Sequence, residues 1–82
     1  MKISVKMTCE QMPNQFEGHI NGVPFYYRAR HGNHELVLRP FTEQESIVFS
    51  GKSKNAGWWE PKTAKRRLMR VIYKCCQNNT IV

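Results

Sequence analysis

The dipeptide Asn21-Gly22 constrains the fold more than any other feature of the sequence. A type I′ turn needs a positive φ angle at both central residues, and Asn and Gly accept this readily, so the pair predicts a β-hairpin. A second tight turn is predicted at Gly32-Asn33. The segments beside both turns alternate between apolar and polar residues, which is typical of strands with one buried face. The sequence therefore predicts an antiparallel sheet.

Four or five strands fit this alternation. The first covers residues 2–8, where apolar and polar side chains alternate without interruption. The further strands are predicted at 15–20, 23–31, 34–39 and, as a short apolar run, 46–50. A helical turn over 42–45 is the less favoured alternative to the last of these. Pro24 has no amide proton for a ladder hydrogen bond, so we expect it at the start of its strand or at an edge of the sheet.

A C-terminal amphipathic helix is predicted over residues 61–76. Pro61 suits the first helical position, and Glu60 just before it favours the positive end of the helix dipole. One apolar stripe with helical spacing is formed by Ala64, Leu68, Val71, Ile72 and Cys75. The expected fold is α+β, a four- to five-stranded antiparallel sheet packed against one C-terminal amphipathic helix. The predicted single domain, 1–82, has strands within 2–50, a basic loop at 51–59, the helix and a short tail at 77–82. Residues 51–57 of the loop are expected to be mobile.

The positive charge of the chain is confined to its last part. The net charge is +7, while residues 1–50 carry as many acids as cations. After Ser50, eight cations stand against the single acid Glu60. Such a distribution indicates an anionic partner for one region of the chain, since net charge informs on partners and not on the fold.

The compartment is predicted to be the cytoplasm. No run approaches the roughly 18 apolar residues of a membrane span. The first residues, MKISVKMT, also lack the apolar core of a signal peptide. Three cysteines, with Cys75 and Cys76 adjacent, are too few for the disulfide framework of a small secreted domain. We therefore expect reduced thiols.

Six of the thirteen cations lie in the predicted helix. Four of them recur every fourth residue and form one row with two flanking cations: Lys62, Arg66, Arg70 and Lys74, flanked by Lys65 and Arg67. Like charges at this spacing repel by roughly 0.2–0.5 kcal/mol per pair, and no acid is interleaved to offset the repulsion. One interpretation is a solvated face whose balancing acids lie on a neighbouring strand. The preferred hypothesis is a binding surface for phosphates or for an acidic protein surface.

Two tryptophans, Trp58 and Trp59, directly precede this helix. Adjacent loop residues cannot both point into one core, so one indole is expected to be buried and the other partly exposed. An exposed indole beside the basic row could stack on a base or anchor a protein contact. The alternative is that both indoles only seal the helix against the sheet.

A second candidate surface lies on the predicted strand 23–31. Tyr26, Arg28 and Arg30 share the strand face opposite Phe25 and Tyr27. If the helix covers the Phe25 side, this face is open and combines an aromatic ring with cations, as in sheets that bind nucleic acid. The alternative is an ordinary solvated outer face.

The sequence shows no catalytic or metal-binding constellation. His31 and His34 flank a turn, and Cys75-Cys76 lie on a separate helix, so no pair has the spacing of a zinc site. Single acid, base or nucleophile candidates exist, but no spacing ties two of them together: Cys9, His19, His31, His34 and Glu35. We expect no metal, no cofactor and no enzymatic activity.

The central stretch FEGHINGVPFYYRARHGNHELVL resembles a hairpin of small bacterial and phage proteins. The single-domain design without motifs is similar to phage anti-defence proteins, including anti-CRISPR inhibitors. The resemblance implies a stoichiometric inhibitor that binds a host nuclease or surveillance complex, often where nucleic acid binds, and assigns no role to any residue.

The predicted function is that of a small non-catalytic intracellular protein that inhibits or modulates a nucleic-acid-handling complex through its basic helix face. Direct DNA or RNA binding by the same helix is the alternative. The predicted partner is an acidic surface of a host protein complex or a phosphate backbone, with no membrane and no small-molecule substrate. The candidate binding residues are Lys62, Lys65, Arg66, Arg67, Arg70, Lys74, Trp58, Trp59, Tyr26, Arg28 and Arg30.

Overall fold

The structure is a computed structural model that describes residues 2–8 and 14–78. Five strands precede one helix, with bounds β1 Ile3–Met7, β2 Gln15–Ile20, β3 Val23–Arg30, β4 Asn33–Leu38, β5 Ser46–Lys52 and α1 Pro61–Gln77. The strands form one sheet in the order β1-β2-β3-β4-β5, and every neighbouring pair is antiparallel. The predicted α+β class is confirmed, with the larger of the two predicted strand numbers.

The two predicted hairpin turns are present, but the second is displaced by one residue. Asn21 and Gly22 have φ angles of 52° and 83°, as the type I′ prediction requires. In the second turn the positive φ angles belong to His31 and Gly32, at 52° and 80°. Asn33 instead pairs with Arg30 as the first residue of β4. The prediction of a turn at Gly32-Asn33 was therefore wrong by one position, because the central residues of the turn are His31 and Gly32.

Pro24 is the second residue of β3, an interior strand of the sheet. Its carbonyl accepts the amide hydrogen of Arg39 at 2.8 Å. In an antiparallel ladder the missing amide of Pro24 would face Arg39 as well, beyond Leu38, the last residue of β4. Proline is thus placed near the start of its strand, where the ladder is already ending.

The core lies between α1 and one face of the sheet. The sheet contributes Phe16, Ile20, Phe25, Tyr27, Ala29, Leu36 and Leu38. The buried residues of α1 are Ala64, Leu68, Val71, Ile72 and Cys75, which confirms the predicted apolar stripe. Ala56 and Trp59 complete the cluster from the segment before the helix. We call the opposite side of the sheet, which faces away from α1, the free face.

A β-bulge in β5 directs three consecutive apolar residues to different places. Leu36 pairs with Phe49, but the next residue of β4, Val37, pairs with Ile47. Val48 is the extra residue, and both it and Phe49 pack against the core. Ile47 lies on the free face and is 60% exposed. The apolar run is therefore a strand, as predicted, but only part of it is core.

Several predicted boundaries differ from the observed ones. β5 extends to Lys52, so the predicted basic loop at 51–59 begins only after this strand. The segment 42–45 forms a turn, with the amide of Glu45 donating to the carbonyl of Thr42 at 3.2 Å. The helix includes Gln77, which was assigned to the tail. The tail residues 79–82 and Cys9 lie outside the described residues.

Candidate functional site

The basic face of α1 is made of the six predicted cations, all of which are exposed: Lys62, Lys65, Arg66, Arg67, Arg70 and Lys74. No acid occurs between Pro61 and Gln77. Helical geometry gives successive members of the row Lys62, Arg66, Arg70 and Lys74 a spacing of about 6 Å along the axis. Because the buried stripe occupies the other side of the helix, the row points away from the core.

The acids of the neighbouring strands do not balance this row. Glu17 in β2 and Glu35 in β4 alternate with the core residues Phe16 and Leu36, so they belong to the free face. The sheet therefore lies between these two acids and α1. Within residues 14–78, the interpretation that strand acids offset the helix charge is not supported.

An exposed aromatic residue, Tyr73, belongs to the same helix face and was missed in the sequence analysis. Its side chain is 55% exposed. It follows Arg70 by three residues and Arg66 by seven, which are the spacings of neighbours on one helical surface. The helical periodicity that predicts the cation row also places Tyr73 within it, so this residue could be found from the sequence.

Arg67 differs from the other cations because it contacts the core. Its guanidinium carbon lies 5.3 Å from the centroid of the Trp59 ring, in cation–π geometry. Trp59 is 7% exposed and Trp58 is 86% exposed, so the expectation of one buried and one exposed indole is confirmed. Arg67 therefore covers Trp59 while its own side chain stays exposed.

Asn14 fixes the backbone that carries these tryptophans. Its Oδ1 accepts the amide hydrogens of Gly57 and Trp59, each at 3.0 Å, and its Nδ2 donates to the carbonyl of Trp59 at 2.7 Å. Asn14 is 2% exposed. No local sequence pattern links Asn14 to these partners, which lie more than 40 residues away in the chain.

The segment between β5 and α1 is also attached to the turn at Gly32. The Gly32 amide donates to the carbonyl of Ala56 at 3.0 Å, and the Ser53 amide donates to the carbonyl of Gly32 at 2.9 Å. Ala56 is fully buried. These contacts argue against the predicted mobility of residues 51–57. The backbone of this segment is hydrogen-bonded to Gly32 in the β3–β4 turn, and the small apolar side chain of Ala56 is part of the core.

Gly57 brings the exposed Trp58 to the end of β3. Gly57 has a φ angle of 99°, which side chains rarely permit. A Cβ atom there would lie 3.1 Å from Cα of Arg30 and 3.2 Å from the amide nitrogen of His31. The chain therefore passes closely over the β3–β4 turn, and the next residue, Trp58, starts beside that turn.

The second predicted surface lies on the free face, apart from the basic helix. Tyr26 and Arg28 are partly exposed and Arg30 is exposed. In the pairing of β3 with β4, Arg28 stands opposite Glu35, so this surface mixes its charges. Arg28 and Arg30 border a shallow depression of about 210 Å³. The structure thus separates the predicted residues into two surfaces on opposite sides of the sheet.

Two titratable side chains lie in the core beside Arg67. The hydroxyl of Tyr27 and Nδ1 of His34 form a 2.7 Å hydrogen bond. Burial, with a smaller contribution from the Arg67 charge, lowers the pKa of His34. Burial raises the pKa of Tyr27 above its usual range, and Arg67 opposes this only in part. Tyr27 is fully buried, so its hydroxyl is not accessible to solvent.

Neither a metal cluster nor a spanning helix is found in the part of the chain that the structure describes. Over residues 2–8 and 14–78, no three His, Cys, Asp or Glu side chains are grouped as metal ligands. Over the same residues, no helix has the length and apolar character to cross a bilayer.

Fold and surfaces together define an α+β protein with one all-cationic helix face. Comparison of the chain with protein-family models, curated proteins and solved structures gives no match.

Proposed function

We propose that this chain is a non-catalytic cytoplasmic binding protein that inhibits or modulates a nucleic-acid-handling protein complex, in the manner of phage anti-CRISPR inhibitors. In this proposal the basic face of α1 docks on an acidic surface of the complex. The observation that carries the proposal is the exposed row Lys62, Arg66, Arg70 and Lys74 on a helix without a single acid. Six cations on one helix repel each other, and an anionic partner would relieve this repulsion.

A protein partner is favoured by the apolar features that accompany the cations. Tyr73 is exposed within the row, and Tyr and Arg are enriched among the residues that dominate protein interfaces. At the other end of α1 a groove of about 260 Å³ lies beside Lys62 and Lys65. The groove is lined with apolar residues, Val5, Met7, Phe16 and Pro61. An apolar side chain of a partner could enter this groove while its carboxylates meet the cations.

Direct nucleic-acid binding is the second candidate. It is favoured by the regular spacing of the row, about 6 Å per cation, because a helix with evenly spaced cations can follow a phosphate backbone. The exposed indole of Trp58 would be available for stacking on a base.

The first experiment tests which surface binds. The variant Arg66→Glu/Arg70→Glu reverses two exposed charges of the helix, and Arg28→Glu/Arg30→Glu reverses two on the free face as the matched control. Each tagged protein is used to capture partners from nuclease-treated host lysate. The proposal expects one stoichiometric protein complex that wild type and the control retain and the helix variant loses. Thermal stability should be nearly unchanged, since exposed charges contribute little to folding.

The second experiment separates the two candidates. Fluorescence anisotropy with labelled duplex DNA and single-stranded RNA is measured at low and at physiological salt. The proposal expects weak binding that is far below the affinity for the captured complex. Tight binding that falls steeply with salt and disappears in the helix variant would support the second candidate instead. Loss of capture only in the free-face variant would refute the choice of the helix.

A further inference from the structure

The free face of the sheet has an apolar centre. Tyr26, Val37 and Ile47 stand side by side on β3, β4 and β5, as the register of the strands shows. Ile47 is 60% exposed. The ring of Phe41, which follows β4, lies 6.5 Å from that of Tyr26 in an edge-on arrangement. Phe41 is 92% exposed, the highest value among the large apolar side chains of the described residues.

Phe41 is held in this position by an ordered loop. Its φ angle is 63° and that of Arg39 is 51°, values that cost a bulky residue free energy. The Phe41 amide donates to Oε1 of Glu45 at 3.1 Å. The hydroxyl of Thr42 donates to the carbonyl of Arg39 at 2.8 Å and accepts the Gln44 amide hydrogen at 3.2 Å. The exposed ring is therefore a preformed projection whose geometry the loop maintains.

A groove lies beside this projection. It has a volume of about 430 Å³ and crosses β1, β2 and β3. Pro24 and Pro40 line it, and Pro40 is the residue directly before Phe41. The projection and the groove are therefore neighbours on one surface. A two-fold axis that crosses the strands at the level of Tyr26, Val37 and Ile47 would place Phe41 of each molecule against the apolar centre of the other.

The charges of the free face match the same arrangement. Its end at the β3–β4 turn carries three cations, Arg28, Arg30 and Lys52, and one acid, Glu35, which stands opposite Arg28; Asn33 lies between Arg30 and Lys52. The opposite end, at the loop that follows β4, carries two acids, Glu43 and Glu45, and one cation, Arg39. Rotation by 180° about an axis through the apolar centre brings the basic end of one molecule over the acidic end of the other.

We propose that the free face binds a second copy of this chain, with Phe41 as the central contact of a symmetric dimer. The molecule measures 30 × 24 × 23 Å. One such face is comparable to the roughly 800 Å² per partner of a standard interface, and only its centre is apolar. The dimer is therefore weak and depends on concentration. Because α1 lies on the other side of the sheet, both basic faces stay accessible in the dimer.

Sedimentation equilibrium of the full chain, from about 1 μM to about 1 mM, tests the proposal. Wild type is expected to change from monomer to dimer within this range. Phe41→Ser and Ile47→Lys are expected to weaken association at least tenfold. Tyr73→Ser, which removes an exposed ring from α1, is the matched control and should associate like wild type. Circular dichroism confirms that each variant is folded.

Charge reversal gives an independent test. Arg28→Glu/Arg30→Glu and Glu43→Arg should each weaken the dimer, and their combination should restore part of the affinity. A wild-type chain that stays monomeric at the highest concentration overturns the proposal, and so does a dimer that the Phe41 and Ile47 variants leave unchanged. If the wild-type chain is monomeric and a different captured protein requires Phe41, the free face belongs to that protein instead.

Discussion

The hydroxyl of Tyr27 and Nδ1 of His34 are joined by a 2.7 Å hydrogen bond that links β3 to β4 within the core. The imidazole also has edge-on contacts with two other rings, at centroid distances of 5.0 Å for Phe49 and 5.4 Å for Trp59. Arg67 covers Trp59 from the helix side. A neutral histidine fits these surroundings, because an imidazolium would be poorly solvated and would repel the guanidinium.

The stability of the fold should therefore depend on His34 and pH. Burial lowers the pKa of His34 in the folded chain, while the unfolded value is about 6.5. Between these values the unfolded chain binds more protons, so the free energy of unfolding should fall as the pH decreases below about 6.5. Well above this pH, His34 is neutral in both the folded and the unfolded chain and causes no such loss of stability. Denaturant unfolding at several values from about pH 8 to about pH 5 measures it.

His34→Gln should reduce this loss of stability on acidification. His31→Gln, which replaces an exposed imidazole at the adjacent turn, is the control and should leave the pH dependence intact. An equal slope for wild type and for His34→Gln would show that His34 is not the group responsible.

Asn14→Ala should destabilise the protein by about 1–3 kcal/mol, because it leaves buried backbone groups of the segment before α1 without partners. Urea unfolding measures the change, and hydrogen exchange should show less protection for the amides of Gly57 and Trp59. Asn33→Ala is the control, since Asn33 is exposed and donates only a 3.4 Å hydrogen bond to His31. Unchanged protection at both amides in Asn14→Ala would show that Asn14 does not hold this segment in place.

Leu68→Ala should cost about 2–5 kcal/mol of unfolding free energy, since the Leu68 side chain is fully buried between α1 and the sheet. Lys65→Ala, one turn earlier and exposed, should change stability by less than about 0.5 kcal/mol. Chemical denaturation of both variants gives the comparison. A small effect at Leu68 would mean that the helix does not pack as described.

The Cys75 thiol should react slowly with alkylating reagents in the native protein. Cys75 is a buried free thiol, and its Sγ atom lies 3.8 Å from the carbonyl oxygen of Val48. Burial, and to a lesser extent Cys76, raises the pKa of Cys75 against the opposing effect of Lys74. Both low exposure and a raised pKa reduce the reactive thiolate. Peptide mapping after timed alkylation, with denatured protein as reference, measures the rate, and equal rates would refute the burial of this thiol.

The elements of the fold follow from local patterns and were predictable. The alternation around Asn21-Gly22 and the apolar stripe through Leu68 depend on periods of two and 3.6 residues, which are visible in a short window. The bulge at Val48 was not predictable, because its effect arises from pairing with β4. The same holds for the turn at His31, where strand register decides which residue adopts the positive φ angle.

The candidate surfaces were predictable only as separate strips of residues. Helical spacing identified the row from Lys62 to Lys74. It could not show that Arg67 would be engaged by Trp59, because that contact depends on where Asn14 holds the backbone. Phe41 was missed for a similar reason. A single phenylalanine between proline and threonine is expected in a core, and only the tertiary path of its loop exposes it.

The nearest-neighbour order of the strands has a consequence for folding kinetics. Each strand pairs with the strand next to it in the chain, so the sheet can assemble hairpin by hairpin with little loss of loop entropy. The Asn14–Trp59 contact spans 45 residues, so closing it costs more loop entropy than closing a hairpin. We therefore expect a rapid early phase that forms the hairpins, followed by slower docking of residues 53–77. In the interval the apolar side of the sheet is uncovered, and it is then that the chain is most exposed to aggregation.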